Sequence, residues 1–199
     1  TGHGSEGDDD TATHPADILD DAARVVSAFT TAAQVLGEGT SLAQTVADRV
    51  IDRLGDEAGL RDGPATGAGL LDEPLRPIDG TVALADGLLD LAALTGEERY
   101  HERAERALGA FAGATDRMGA QVAGYGAAVD RCLGEPLVVA VGDAVGSDLH
   151  RAALRIADHE KVVVPEATDA PEGTAVVRGS DATPAETPSE LMDVVAETQ

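Results

Sequence analysis

Lysine is almost missing from this chain: Lys161 is the only one among 14 basic residues, set against 37 acidic ones, for a formal net charge of −23 and a pI near 4.2. Binding a polyphosphate requires a basic footprint that releases counterions, so this balance excludes nucleic acid and anionic membrane surfaces as partners. Cysteine is equally scarce. Cys132 stands alone, which rules out an internal disulfide and a CxxC redox pair. Val129 and Leu133 place it on an apolar helix face, where a free thiol is an inert core group. No apolar run approaches the ~20 residues of a spanning helix, and no basic-then-apolar leader opens the chain. A soluble, cytoplasmic protein is expected.

The short motifs of catalysis are also lacking. There is no GxSxG elbow. The turn Val141-Gly142-Asp143-Ala144-Val145-Gly146-Ser147 lacks the lysine that a P-loop needs and the third glycine of a dinucleotide fingerprint. Asp143 and Asp148 put negative charge where an anion would sit, so the segment reads as a plain capped turn. His150 and His159 are separated by about two and a half helical turns, which sets them on opposite faces rather than on one zinc ion. His159 is expected at a helix end, against the negative end of the dipole. His3, His14 and His101 are isolated. The run Asp8 to Asp10 lacks the liganding loop of a calcium site. Pairs such as Asp56 and Glu57, or Glu97 and Glu98, read as solvated surface, because 37 acidic residues produce every carboxylate spacing by chance. No catalytic residue, metal ligand or cofactor site is predicted.

What is present is a repeat. Leu19 to Gly37 placed over Ile78 to Gly96 aligns Leu19 with Ile78, Asp20 with Asp79, Phe29 with Leu88 and Gly37 with Gly96. Each copy is a helix closed by glycine, then a polar turn and a second amphipathic helix. Ala47, Val50, Ile51 and Leu54 in one copy answer Ala104, Ala107, Leu108 and Phe111 in the other, which is the pattern of a helical repeat array. A hydrophobic content of 43% in regular spacing marks a folded chain despite its charge. Folded, acidic and nearly lysine-free, it suits a high-salt cytoplasm, where salt screens self-repulsion and carboxylates hold water.

Residues 1–13 are polar and acidic and read as a disordered leader. Residues 14–134 form the helical-hairpin domain, with helices predicted over Pro15 to Leu36, Ser41 to Leu54, Gly80 to Leu94, Glu97 to Ala114 and Ala120 to Leu133. Between the second and third lies a long connection, Gly55 to Asp79, of the kind that is functional or packs as an irregular wall. Residues 135–199 form a small α/β tail. Leu137 to Val141 is a buried strand, Ser147-Asp148 caps a helix to about Ala157, and Val162 to Val164 completes a βαβ unit. A third strand at Thr174 to Val177, a linker from Pro184 to Pro188 and a last helix over Ser189 to Glu197, capped by Ser189, follow. The expected fold class is mainly α: an α/α hairpin array followed by a small α/β tail.

One segment attracts a ligand-binding reading. In Gly69-Leu70-Leu71-Asp72-Glu73-Pro74-Leu75-Arg76-Pro77-Ile78-Asp79-Gly80, two prolines make a rigid approach to the third helix, with Arg76 between them and Asp79 at the expected N-cap. Arg76 and Asp79 are the candidate ligand-binding residues. The alternative is that Asp79 only caps and Arg76 only pairs with Asp72 or Glu73.

The stretches GLLDEPLRPIDGTVALADGLLDLAALTGEERYHERAERAL and PLVVAVGDAVGSDLHRAALRIADHEKVVVP resemble the C-terminal region of the thioredoxin-domain-containing proteins of haloarchaea, related to the spermatogenesis-associated thioredoxin-like family. The likeness runs from about Ile18 to Val195. It implies an α/α toroid similar to N-acylglucosamine 2-epimerases and six-hairpin glycosidases, here a partial one. The cysteine motif of the family's thioredoxin-like domain has no counterpart here, so the resemblance carries no redox role. Where the family often has asparagine after Asp79, Gly80-Thr81 stand. The implied function is the toroid portion of such a protein, binding a sugar-like or other polar ligand near Arg76 and Asp79. The alternative is a non-catalytic scaffold or interaction module, self-associating or completed by a partner chain that supplies the thioredoxin-like domain and the remaining hairpins. Ala23, Val26, Ala33 and Val46, read as apolar surface in excess on the first two helices, favour a partner.

Overall fold

A computed structural model describes residues 18–64, 75–114, 123–158 and 160–198. The expectations for residues 1–13, for a helix start at Pro15, for Gly69 to Pro74 with Asp72 and Glu73, for Ala120, for His14 and for His159 lie outside the described residues.

Helix α1 (Leu19–Leu36) and helix α3 (Ile78–Thr95) are both 18 residues long, and both end on a left-handed glycine, Gly37 at φ 72° and Gly96 at φ 72°. Each glycine is needed there, because a left-handed C-cap penalises any Cβ. Equivalent positions face inward in both, Ala22 with Thr81 and Val26 with Ala85. Gly87 lets the two helices approach closely: a Cβ on it would stand 2.9 Å from Val26 Cγ1. Helix α2 (Thr40–Leu54) and helix α4 (Glu98–Gly109) pack behind them, and helix α5 (Ala123–Leu133) packs against α3 and α4. One apolar core runs through all five, with Leu19, Leu54, Leu84, Leu88, Leu91 and Tyr100 fully buried. Each such leucine contributes roughly 1.5–3 kcal/mol on burial.

Several expectations change here. Ala23, Val26 and Ala33 are buried in the core rather than left as surface, and Val46 packs on the same core. They read as excess because a stripe covered by two neighbouring helices is wider than one covered by one. Within the predicted Gly55 to Asp79 loop lies a small hairpin, β1 (Gly55–Asp56) antiparallel to β2 (Gly59–Leu60). A short 3₁₀ turn, Ala112–Ala114, follows α4.

The tail opens with β3 (Val138–Val141), fully buried, which pairs parallel with β4 (Val162–Val164) across helix α6 (Asp148–Arg155). β5 (Ala175–Val177) lies antiparallel on the other side of β3, so the order is β4-β3-β5. Val139, Val141 and Val163 meet α6 and the last helix, α7 (Pro188–Thr198). On the other face Val138, Ala140, Val162 and Val164 meet Ala93 and Leu94 of α3. This alternation is the two-residue period of a strand covered on both faces. The expected linker at Pro184 to Pro188 contains buried Ala185, which exchanges two backbone hydrogen bonds of 2.8 Å with Ala175. Ser189 is not the cap of α7: Thr187 Oγ1 accepts from the Glu190 N–H at 3.3 Å, and Glu190 Oε2 from the Glu186 N–H at 2.8 Å. Proline at the first helical position shifts the cap one residue ahead of it.

The tail sits on the ends of α1 and α3. His150, 1% exposed, donates from Nε2 to the Gln34 carbonyl at 2.8 Å, and its Nδ1 accepts the Gly146 N–H at 3.0 Å, which sets the neutral Nε2–H tautomer. Gln34 Oε1 in turn accepts the Val163 N–H at 3.0 Å, covering an edge of the sheet that would otherwise be open. Arg178 grips Asp169 at 2.8 and 3.2 Å and donates from Nη1 to the Ala93 carbonyl at 2.6 Å.

Candidate functional site

At the opposite end of the helical layer, the β1–β2 hairpin links the start of α1, the end of α2 and the start of α3. The Arg61 N–H donates to the Leu54 carbonyl at 2.9 Å, the Asp62 N–H to Leu75 at 2.9 Å and the Leu19 N–H to Asp62 at 3.0 Å. The turn is shaped by Asp56, whose Oδ1 accepts the Ala58 N–H at 2.8 Å, and by Gly59 at φ 120°, a conformation open to glycine alone. Leu60, 1% exposed, anchors it in the core.

Three arginines gather on this hairpin. Arg76 Nη2 donates to Asp56 Oδ2 at 2.6 Å, and Arg61 Nε lies 3.7 Å from the same oxygen. The Arg76 hydrogen bond holds the Asp56 carboxyl below the usual carboxylate range. Arg76 thus pairs with Asp56, and the expected partners Asp72 and Glu73 lie outside the described residues. Arg103 of α4 is 9% exposed, and its Nη2 rests against Gly55, where a Cβ would be 1.9 Å away. Burial, and after it the charge of Arg106, push the Arg103 guanidinium below its usual range, against the pull of Asp56. Arg76 Nη1 and Arg103 Nε and Nη2 are buried with no hydrogen-bond acceptor among the described residues. Buried donors are paired as a rule, so three at one place call for an explanation.

Asp79 does not cap α3. Pro77 occupies the N-cap at φ −73° and no side chain closes the turn, so Asp79 is the second helical residue, exposed, with its charge toward the positive end of the dipole. Proline's fixed φ sets the helix start two residues earlier than Asp79 would. Asp79 lines a cavity of about 220 Å³ between α3 and α5, with Ile78, Val82, Ala83, Asp86 and Tyr125. Arg76 and Asp79 thus have different surroundings, the hairpin for one and α5 for the other.

Behind that cavity lies a polar network that the sequence reading missed. Arg131 of α5, with its side chain 12% exposed, reaches Asp86 at 3.4 Å and also binds Asp90. Thr30 of α1 donates to Asp90 at 3.3 Å, so Asp90 links three helices. Burial pushes the Asp86 carboxyl up, opposed by Arg131. The sequence signal was the spacing of Asp79, Asp86 and Asp90, which falls on one face of an otherwise apolar helix.

The remaining candidates have structural partners. Cys132 is 4% exposed, and burial, then the Glu105 charge, push its thiol up, away from the reactive thiolate. His101 Nε2 lies 3.0 Å from the Cys132 carbonyl. Ser147 accepts the His150 N–H at 3.2 Å, so the Gly142 to Gly146 segment is a capped turn. Among the described residues no group of His, Cys, Asp and Glu could hold a metal ion, and no helix is long and apolar enough to cross a membrane. Neither a protein-family model nor a curated protein matches the chain.

Proposed function

We propose that this chain is the C-terminal toroid portion of a thioredoxin-domain-containing protein, serving as a polar-ligand-binding part without redox chemistry of its own. The helix order supports a partial α/α toroid: α1, α3 and α5 pack side by side, with α2 and α4 behind them. The observation that carries the binding reading is Arg76, one of whose Nη atoms pairs with Asp56 while the other is buried without a partner among the described residues at the start of α3. Beside that start, the exposed carboxylate of Asp79 opens on the 220 Å³ cavity. A guanidinium and a carboxylate at one end of a helix supply both donors and acceptors, the set that a polyhydroxylated, sugar-like ligand needs. Calorimetric titration of the whole chain in molar potassium chloride with glucose, mannose and their N-acetylated amines tests this. Saturable binding weakened by Arg76→Ala and by Asp79→Asn is expected; heats equal to dilution for every sugar would sink the reading.

The second reading, a scaffold completed by a partner chain, is favoured by one feature. Val35, Leu36 and Leu42 are 43%, 60% and 54% exposed on either side of the α1–α2 connection, apolar side chains that a partner would cover. Light scattering coupled to size exclusion in molar potassium chloride decides it: self-association abolished by Leu36→Glu with Leu42→Glu supports the scaffold, and a monomer at all concentrations removes a second copy as the partner.

A further inference from the structure

We infer that the hairpin end of the helical layer holds a small oxyanion, a phosphate or phosphomonoester, on the Nε and Nη2 edge of Arg103, with Arg76 and Arg61 as flanking cations. In a chain of net charge −23 with only 14 basic residues, these three share one carboxylate, Asp56. Counted over the groups that act on Asp56, three positive charges less one negative leave two, with Glu57 and Asp62 of the hairpin and Arg106 of α4 outside that count. A phosphomonoester carries about −1.5 to −2 at neutral pH, which balances them.

The geometry names the edge. Elsewhere in this molecule the same Nε and Nη2 edge grips a carboxylate with two bonds, Arg24 on Asp20 at 3.0 and 3.4 Å and Arg178 on Asp169 at 2.8 and 3.2 Å. That fork matches two oxygens of a carboxylate or phosphate. On Arg103 both atoms of the fork are buried, without an acceptor among the described residues, on a residue 9% exposed. A buried guanidinium without a counter-ion is costly, and the nearby charge of Arg106 adds to the cost. Gly55 makes the room that Arg103 Nη2 occupies, since a Cβ there would stand 1.9 Å from it. The inference shares Arg76 and its place on the fold with the proposed function but rests on Arg103, since an oxyanion binds there whether or not a sugar carries it.

The test uses the whole chain in molar potassium chloride, titrated with inorganic phosphate, methyl phosphate, acetate and glucose, with the arginine Nε–H resonances followed by NMR. Saturable phosphate binding that shifts the Arg103 Nε–H, weakened at least tenfold in Arg103→Lys and unchanged in the exposed control Arg24→Lys, is the expected result. If Arg103→Lys does not fold, Arg76→Lys and the wild-type Arg103 resonance carry the same decision. No phosphate binding, or phosphate shifts confined to other arginines, overturns the inference, and acetate binding as tightly as phosphate overturns the assignment to phosphate. Phosphate binding without glucose binding counts against the sugar-like ligand and leaves the oxyanion site standing. Glucose binding that phosphate neither accompanies nor displaces does the reverse.

Discussion

Gln34 and Ala93 hold equivalent places in α1 and α3, each the residue after the one whose carbonyl accepts the closing glycine N–H. Both carbonyls belong to the last turn, which a helix leaves without partners of its own, and neither helix carries a basic residue there. The tail supplies what is missing, the imidazole of His150 to one and the guanidinium of Arg178 to the other. At the end where both helices start, the account is reversed. Donors outnumber acceptors on the hairpin, and the Arg103 fork is buried without an acceptor among the described residues. One end is closed by matched partners and the other holds a charge that the described residues do not balance. That contrast puts the matched pairs at the tail and the proposed ligand site at the hairpin, because function is built where a fold tolerates incomplete pairing.

The largest effect is expected from breaking the closed end. His150→Ala removes a buried side chain and strands both the Gln34 carbonyl and the Gly146 N–H, for a loss of about 3 kcal/mol. Urea unfolding in molar potassium chloride measures it. A loss under about 1 kcal/mol would show that water replaces the imidazole and that this end is not tightly closed.

A pair of substitutions tests the contrast by sign. Arg178→Met gives up the bonds to Asp169 and Ala93 and is expected to destabilise by about 1–2 kcal/mol, discounted because the side chain is 31% exposed. Arg103→Met removes an ion whose Nε and Nη2 find no acceptor among the described residues and leaves stability unchanged or raises it by about 1 kcal/mol. Equal losses from both would break the comparison, since Arg103 would then be as well satisfied as Arg178.

Most of the helical layer was legible because helices write themselves in periodic apolar positions. The offset of Leu19 with Ile78 and of Gly37 with Gly96 appears unchanged as α1 and α3. Val162 to Val164 was legible as a strand for the same local reason. The site was less so. Arg76 stood out for its prolines, but its partner Asp56 is 20 residues away, and Arg103 looks like any polar residue on a charged helix. Asp79 was misplaced as a cap because aspartate is favoured there, while Pro77 decides the start of α3. The docking of the tail was out of reach, since His150 and Gln34 are separated by 116 residues and the repeat pattern says nothing about what covers a helix end.

A smaller effect concerns the thiol. Cys132 should react slowly with iodoacetamide in the native protein and rapidly in urea, since burial and Glu105 disfavour its thiolate. Fast native labelling would show that α5 opens locally, and the closed state of this layer would then stop short of it.

The smallest effect is the pH dependence, and it separates the groups by direction. Asp169 and Asp56 have folded values lowered by Arg178 and Arg76, so their stabilisation is present above the unfolded value, about 3.9, and is lost as pH falls through the folded one. Asp86 has a folded value raised by burial, so its contribution is full below the unfolded value and is lost as pH rises through the folded one. Acidification from neutral pH should first raise stability slightly through Asp86 and then lower it below about pH 4 through the two arginine pairs. Asp86→Asn should remove the first limb and Asp169→Asn should flatten the second. Asp56→Asn should flatten the acid limb too, and should also lower stability at neutral pH, because it withdraws the carboxylate that Arg61, Arg76 and Arg103 share. If phosphate restores that neutral-pH loss in Asp56→Asn and does nothing for Asp169→Asn, the charge excess belongs to the hairpin end alone.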